Sequence, residues 1–113
     1  YDFKNFNIDE ILFFSQNDTE ATTKILNLFI SSTHENLSDL EKAVVAYDLE
    51  KISNVAHKML PMFKQLQMVN LVSKLIKLER EPNTIPKNDI VGYFSILKME
   101  TEKILVQIKN IEL

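Results

Sequence analysis

Residues 48–66, Asp48-Leu49-Glu50-Lys51-Ile52-Ser53-Asn54-Val55-Ala56-His57-Lys58-Met59-Leu60-Pro61-Met62-Phe63-Lys64-Gln65-Leu66, place apolar side chains at Leu49, Ile52, Ala56, Met59, Phe63 and Leu66. The steps between them alternate between three and four positions. At about 100° per residue that spacing stacks them along one face of an α-helix, whereas a strand, with its period of two, would scatter them. Asp48 is a capping residue for such a helix, and Glu50 stands in its positively polarised first turn. Pro61 breaks the local rule. It has no N–H to offer the His57 carbonyl, and its ring crowds that turn at a cost of about 3 kcal/mol. It also biases Leu60 away from helical angles. Because Phe63 and Leu66 keep the phase of Ile52 and Met59, the segment reads as a kinked but continuous helix rather than one that stops at Pro61.

The same pattern extends outward in both directions. Upstream, Asp18 caps a long helix reaching about Ala46, with Ile25, Leu28, Phe29, Leu40 and Val44 in one broad stripe. Asn7, with Glu10 three residues on, reads as the capping box of a short first helix whose apolar side is Ile8, Ile11 and Leu12. Gln16-Asn17-Asp18 ends that helix, and Tyr47-Asp48 makes the next tight connection. Downstream, a helix from Met68 to about Glu81 carries Met68, Leu71, Val72 and Leu75 on one side. The one real loop is Glu81–Pro86, and Pro86 suits the first turn of a last helix. That helix aligns Ile90, Phe94, Leu97, Ile104, Leu105 and Ile108 and runs almost to Leu113. There is no internal repeat. Four substantial amphipathic helices joined by short connections predict an all-α, antiparallel four-helix bundle with a short extra N-terminal helix.

Composition narrows the chemistry. One hundred and thirteen residues fit a single domain, 1–113, and the opening at Tyr1 rather than Met marks it as an expected piece of a longer protein. Thirteen basic against sixteen acidic residues give a net charge of −3, which argues against nucleic acid and against an anionic membrane surface as partners. No cysteine is present, so disulfides, thiolate catalysis and cysteine zinc sites are excluded. With Gly92 as the one glycine, no phosphate-cradling loop for ATP or a dinucleotide can be built. No apolar run reaches the roughly 20 residues that span a bilayer. His34 and His57 lie on different helices without metal-ligand spacing, so no metal site is expected. Ser31-Ser32-Thr33-His34 points its side chains about 100° apart from one residue to the next and lacks an orienting third group. Glu79, Glu81 and Glu102 read as solvated helix faces.

His57 is the candidate functional residue. On the helical wheel Glu50, Asn54, Pro61 and Lys64 fall within about 60° of it, while Ile52, Met59, Phe63 and Leu66 lie about 120–220° away. His57 is therefore expected at the surface, midway along a helix, with the Lys64 ammonium two turns on at nearly the same azimuth. Imidazole changes charge near neutral pH, and its neutral form is a competent nitrogen nucleophile. If it accepted a phosphoryl group, with roughly −2 of new charge, Lys64 could supply the donors.

The stretch Ala46-Tyr47-Asp48-Leu49-Glu50-Lys51-Ile52-Ser53-Asn54-Val55-Ala56-His57-Lys58-Met59-Leu60 resembles the histidine-containing phosphotransfer (HPt) domain family. That family shows a long helix, a short turn with an acidic residue, and then a helix carrying an Ala-His pair. The resemblance covers the chain from Phe13 through the last helix, and Val55-Ala56-His57 is its most specific part. The version Ala56-His57-Lys58-Met59-Leu60-Pro61-Met62-Phe63 is similar to that at the end of large hybrid sensor kinases. The resemblance implies a phosphorelay intermediate in two-component signalling. His57 would take a phosphoryl group from a receiver-domain aspartate and pass it to another. The domain would have no ATP site or cofactor of its own, with magnesium supplied by the receiver.

Glu50, Asn54, Lys58 and Pro61 would meet the partner. A monomeric state and a cytoplasmic location, or the cytoplasmic part of a membrane-bound sensor, are likewise implied. The chain departs from the family at three positions. The common lysine and glycine, three and four residues after the histidine, are Leu60 and Pro61 here, and the small residue ten after it is Gln67. The lysine's role therefore does not pass to Leu60; Lys64, and less directly Lys58, are its geometric substitutes. The rival reading is a non-catalytic helical adaptor in which His57 has no special role.

Overall fold

The computed structural model describes residues 5–113. They form helices α1 (Asp9–Phe14), α2 (Thr19–Val45), α3 (Leu49–Gln65), α4 (Val69–Arg80) and α5 (Lys87–Lys109), with one 3₁₀ turn at Pro82–Thr84. The four long helices run antiparallel as a bundle about 44 × 23 × 19 Å, and α1 packs against α2. Helix α3 has α2 on one side and α4 on the other; α5 closes the ring against α2 and α4.

The local signals act largely as expected. The Asp18 carboxylate accepts from Ala21 N–H at 3.0 Å, and that of Asp48 from Lys51 N–H at 3.1 Å. Each satisfies one of the N–H groups that a helix start leaves without a partner. The capping box at Asn7 does not form. Its side chain accepts from Asp9 N–H at 2.7 Å, but its own N–H donates to the Leu66 carbonyl at 2.8 Å, so none is left for Glu10. That bond ties the chain's start to the end of α3, and Ile8 becomes the N-cap.

Three connections are built alike despite the shortage of glycine. Gln16, Tyr47 and Gln67 follow the caps of α1, α2 and α3 with φ of 57°, 50° and 54°, and after α1 the next residue, Asn17, is left-handed too at 59°. In each case the N–H two residues beyond the cap bonds the carbonyl three residues inside the helix: Asn17 to Leu12 at 2.8 Å, Asp48 to Ala43 at 2.9 Å and Met68 to Phe63 at 3.1 Å. These are Schellman closures, in which glycine is usual because a Cβ in the left-handed region costs about 1–2 kcal/mol. Gly92 itself lies inside α5, where an added Cβ would meet nothing within 4 Å. The two residue types therefore stand in each other's favoured places. Gln67→Gly and Gly92→Ala should each raise stability by up to about 1 kcal/mol in urea unfolding, and a lowered midpoint for either would contradict the backbone assignment.

The core follows the predicted seams with two corrections. In α2 the buried residues are Thr22, Leu26, Phe29, Thr33, Leu37, Leu40, Ala43 and Val44. Leu28, expected inside, is 68% exposed, and Ile25 is only half-buried at the edge. The closely spaced 22/26/29/33/37/40/44 series holds the seam, and Leu28 sits off it. The Glu81–Pro86 connection is the expected loop, anchored to the core where Pro82 and Ile85 are buried and the Tyr47 hydroxyl donates to the Ile85 carbonyl at 3.0 Å. Helix α3 is continuous through Pro61, with Ile52, Val55, Ala56, Met59, Leu60 and Phe63 buried.

Candidate functional site

Asp48 at one end of α3 and the Gln67 closure at the other fix this helix, and its buried seam fixes its rotation. His57 consequently stands on the outer face with 78% of its side chain accessible. Glu50, Asn54, Lys58, Pro61 and Lys64 are all exposed as well. Leu60 is buried, at 5% exposure, so the position where the family carries lysine has no surface role here. His34 is exposed on α2, but Thr33 beside it is buried in the seam, so Ser31-Ser32-Thr33-His34 does not converge.

The residue that the sequence reading missed is Glu79. Its side chain is not a solvated charge: only 18% of it is accessible, and its Oε2 pairs with His57 Nδ1. Glu79 lies in the last turn of α4, 22 positions from His57, and only the packing of α4 on α3 brings them together. Its other oxygen, Oε1, faces the Arg80 Nε at 3.8 Å. The Ser53 hydroxyl, one turn before His57, donates to the Glu79 carbonyl at 2.5 Å. A carboxylate only accepts hydrogen bonds, so His57 Nδ1 is the protonated nitrogen. In the neutral ring the lone pair is then on Nε2, which points away from the pair toward solvent.

Two further features surround the imidazole. On the α2 side, Asp39, Lys51, Asn54, Val55, His57 and Lys58 line an open depression. Lys51, which the sequence reading did not single out, thus joins Lys58 beside the histidine; the two are seven residues apart, nearly in line along α3. Lys58 also borders an apolar groove between α2 and α3, floored by Phe29, Met59 and Phe63 and edged by Leu28 and Met62. Lys64 lies farther along the ridge, against Gln67, Val69 and Val72. Seven residues of helix separate it from His57 by about 10.5 Å of rise, but helical side chains lean toward the N-terminus. Pro61, between the two, carries no long side chain to stand in the way.

Elsewhere, burial pushes the Tyr93 phenol above its ordinary pKa, so it keeps the proton it donates to the Lys74 carbonyl at 3.1 Å. Among the described residues no group of three or more His, Asp or Glu could hold a metal ion, and no helix is long and apolar enough to cross a membrane. The chain matches no family model, no curated protein and no solved structure.

Proposed function

We propose that this bundle is a phosphorelay domain in which His57 Nε2 accepts a phosphoryl group from a receiver-domain aspartyl phosphate and hands it to a second receiver. The observation that carries the reading is the pairing of His57 Nδ1 with Glu79 on an otherwise exposed ring. Nε2 would attack phosphorus in line, the P–N bond forming as the P–O bond to the aspartate breaks and its carboxylate leaves. The attacking ring gains positive charge while Nδ1 keeps its proton. The Glu79 carboxylate is already in place to stabilise that charge, without reorganisation during the step. For the onward step the same cationic ring is a good leaving group. The phosphate is activated before it arrives, so the domain's contribution is positioning and electrostatics, which dominate phosphoryl transfer.

The surface offered to a receiver would be Glu50, Asn54, Lys58 and Pro61, with the adjoining apolar groove beside Lys58.

The test is incubation with phosphorylated receivers. Acid-labile, base-stable label on His57 is the expected result, and no label from any receiver would favour the adaptor. Within the same assay Lys64→Ala should slow transfer on the order of tenfold. That is less than the ~10²–10³ lost with an oxyanion-hole donor, because Lys64 is solvated. Glu79→Ala should slow it as well, by removing the partner of Nδ1. Equal rates for Lys64→Ala and Lys58→Ala would withdraw the special role given to Lys64.

A further inference from the structure

The last four carbonyls of any α-helix lack partners in their own helix, and Glu79 carries one of them at the end of α4. A serine inside a helix ordinarily turns its hydroxyl to solvent or back to a carbonyl of its own preceding turn. Ser53 does neither. It reaches across to α4 and donates to the Glu79 carbonyl at 2.5 Å, while the side chain of the same Glu79 meets His57 one turn farther along α3. Helix α3 thus holds Glu79 at two points, backbone and carboxylate, by two residues on successive turns. The backbone contact is partly buried, where a hydrogen bond is less exposed to competition from water.

We infer that Ser53 is a positioning residue for His57: its hydroxyl pins the last turn of α4 so that the Glu79 carboxylate holds the proton on Nδ1 and leaves Nε2 free. This deepens the phosphotransfer reading and rests on it for its catalytic consequence, but its structural content is measured separately. Without the hydroxyl, core packing still holds α4 against α3, but the last turn of α4 loses one of its two ties to α3 at Glu79. The carboxylate then samples positions away from the imidazole, and the ring relaxes toward the tautomer mixture of a free histidine. Val and Thr are both β-branched and nearly the same shape, so comparing them isolates the hydroxyl.

The experiment is imidazole ¹⁵N NMR on the intact domain at a pH where His57 is neutral, with exposed His34 as the internal reference. Wild type and Ser53→Thr should show a protonated Nδ1 and an unprotonated Nε2 at His57. Ser53→Val and Ser53→Ala should shift both nitrogens toward the His34 pattern and slow label uptake about fivefold, the scale of one hydrogen bond. Ser53→Thr carries the hydroxyl through any loss of stability caused by branching, so a poorly folded Ala variant does not remove the test. Identical His57 shifts in the Thr and Val variants would overturn Ser53's role even if Val melted at lower temperature, because that pattern marks a merely structural contact. Label uptake is scored apart: a wild type that takes none overturns the phosphotransfer reading, whereas unchanged tautomers with normal uptake overturn Ser53's role alone.

Discussion

His57→Gln is expected to take no label from any phosphorylated receiver while unfolding within about 0.5 kcal/mol of wild type. The loss of label follows from chemistry, since the lone pair of an amide nitrogen is delocalised into its carbonyl and does not attack phosphorus. The small stability change follows from place: 78% of the His57 side chain is accessible, and no core contact is removed. What His57 does support is the Glu79 carboxylate, which is 18% accessible. An amide N–H₂ can still donate to that carboxylate, so Gln is a milder test than Ala. His34→Gln should change neither uptake nor stability. Label retained by His57→Gln would place the acceptor elsewhere. Loss of label together with loss of fold would make His57 a structural residue and bring the adaptor reading forward.

Phe63→Ala should cost about 3–5 kcal/mol in urea or thermal unfolding. Phe63 is 1% exposed and meets Phe29 of α2 edge to face, with ring centroids 5.5 Å apart. Truncation leaves a void at the contact that sets the rotation of α3 against α2, and the ring–ring attraction is lost with the buried area. Domains of this size have only about 5–15 kcal/mol of net stability, so the loss is a large part of the total and should lower the unfolding midpoint clearly. Phe63 lies six positions beyond His57 and about 120° around the helix from it, so the two variants test one helical phase from opposite sides. A Phe63→Ala protein that melts like wild type would show that phase to be wrong, and with it the outward placement of His57.

Most of the helix ends were legible because their causes are local. Asp18 and Asp48 bond N–H groups three residues away, and a left-handed residue after each cap closes a hydrogen-bonded ring within six residues. The exposure of His57 was legible for a related reason. The 49/52/56/59/63/66 repeat defines the buried face of α3, and residues opposite it must face out. Leu28 shows where periodicity loses precision: in a long helix rich in apolar residues a broad stripe admits a neighbour that the packed seam leaves outside, at 68% exposure.

By itself, then, the amino-acid sequence determined the helices, most of their ends, the bundle they form and the surface position of His57. Each of these depends on interactions within a few residues or on a period that repeats along one helix. Only the tertiary structure decided which nitrogen of His57 is free and what orients it. Glu79 lies 22 residues from His57 and Ser53 lies 26 from Glu79, and each pair meets only when α4 lies antiparallel on α3 at one rotation. That rotation is set by the combined packing of Leu71, Leu75 and Leu78 against the rest of the core. No spacing along α4 announces it, so a half-buried carboxylate aimed at an imidazole looks, in sequence, like any other charge on a solvated face.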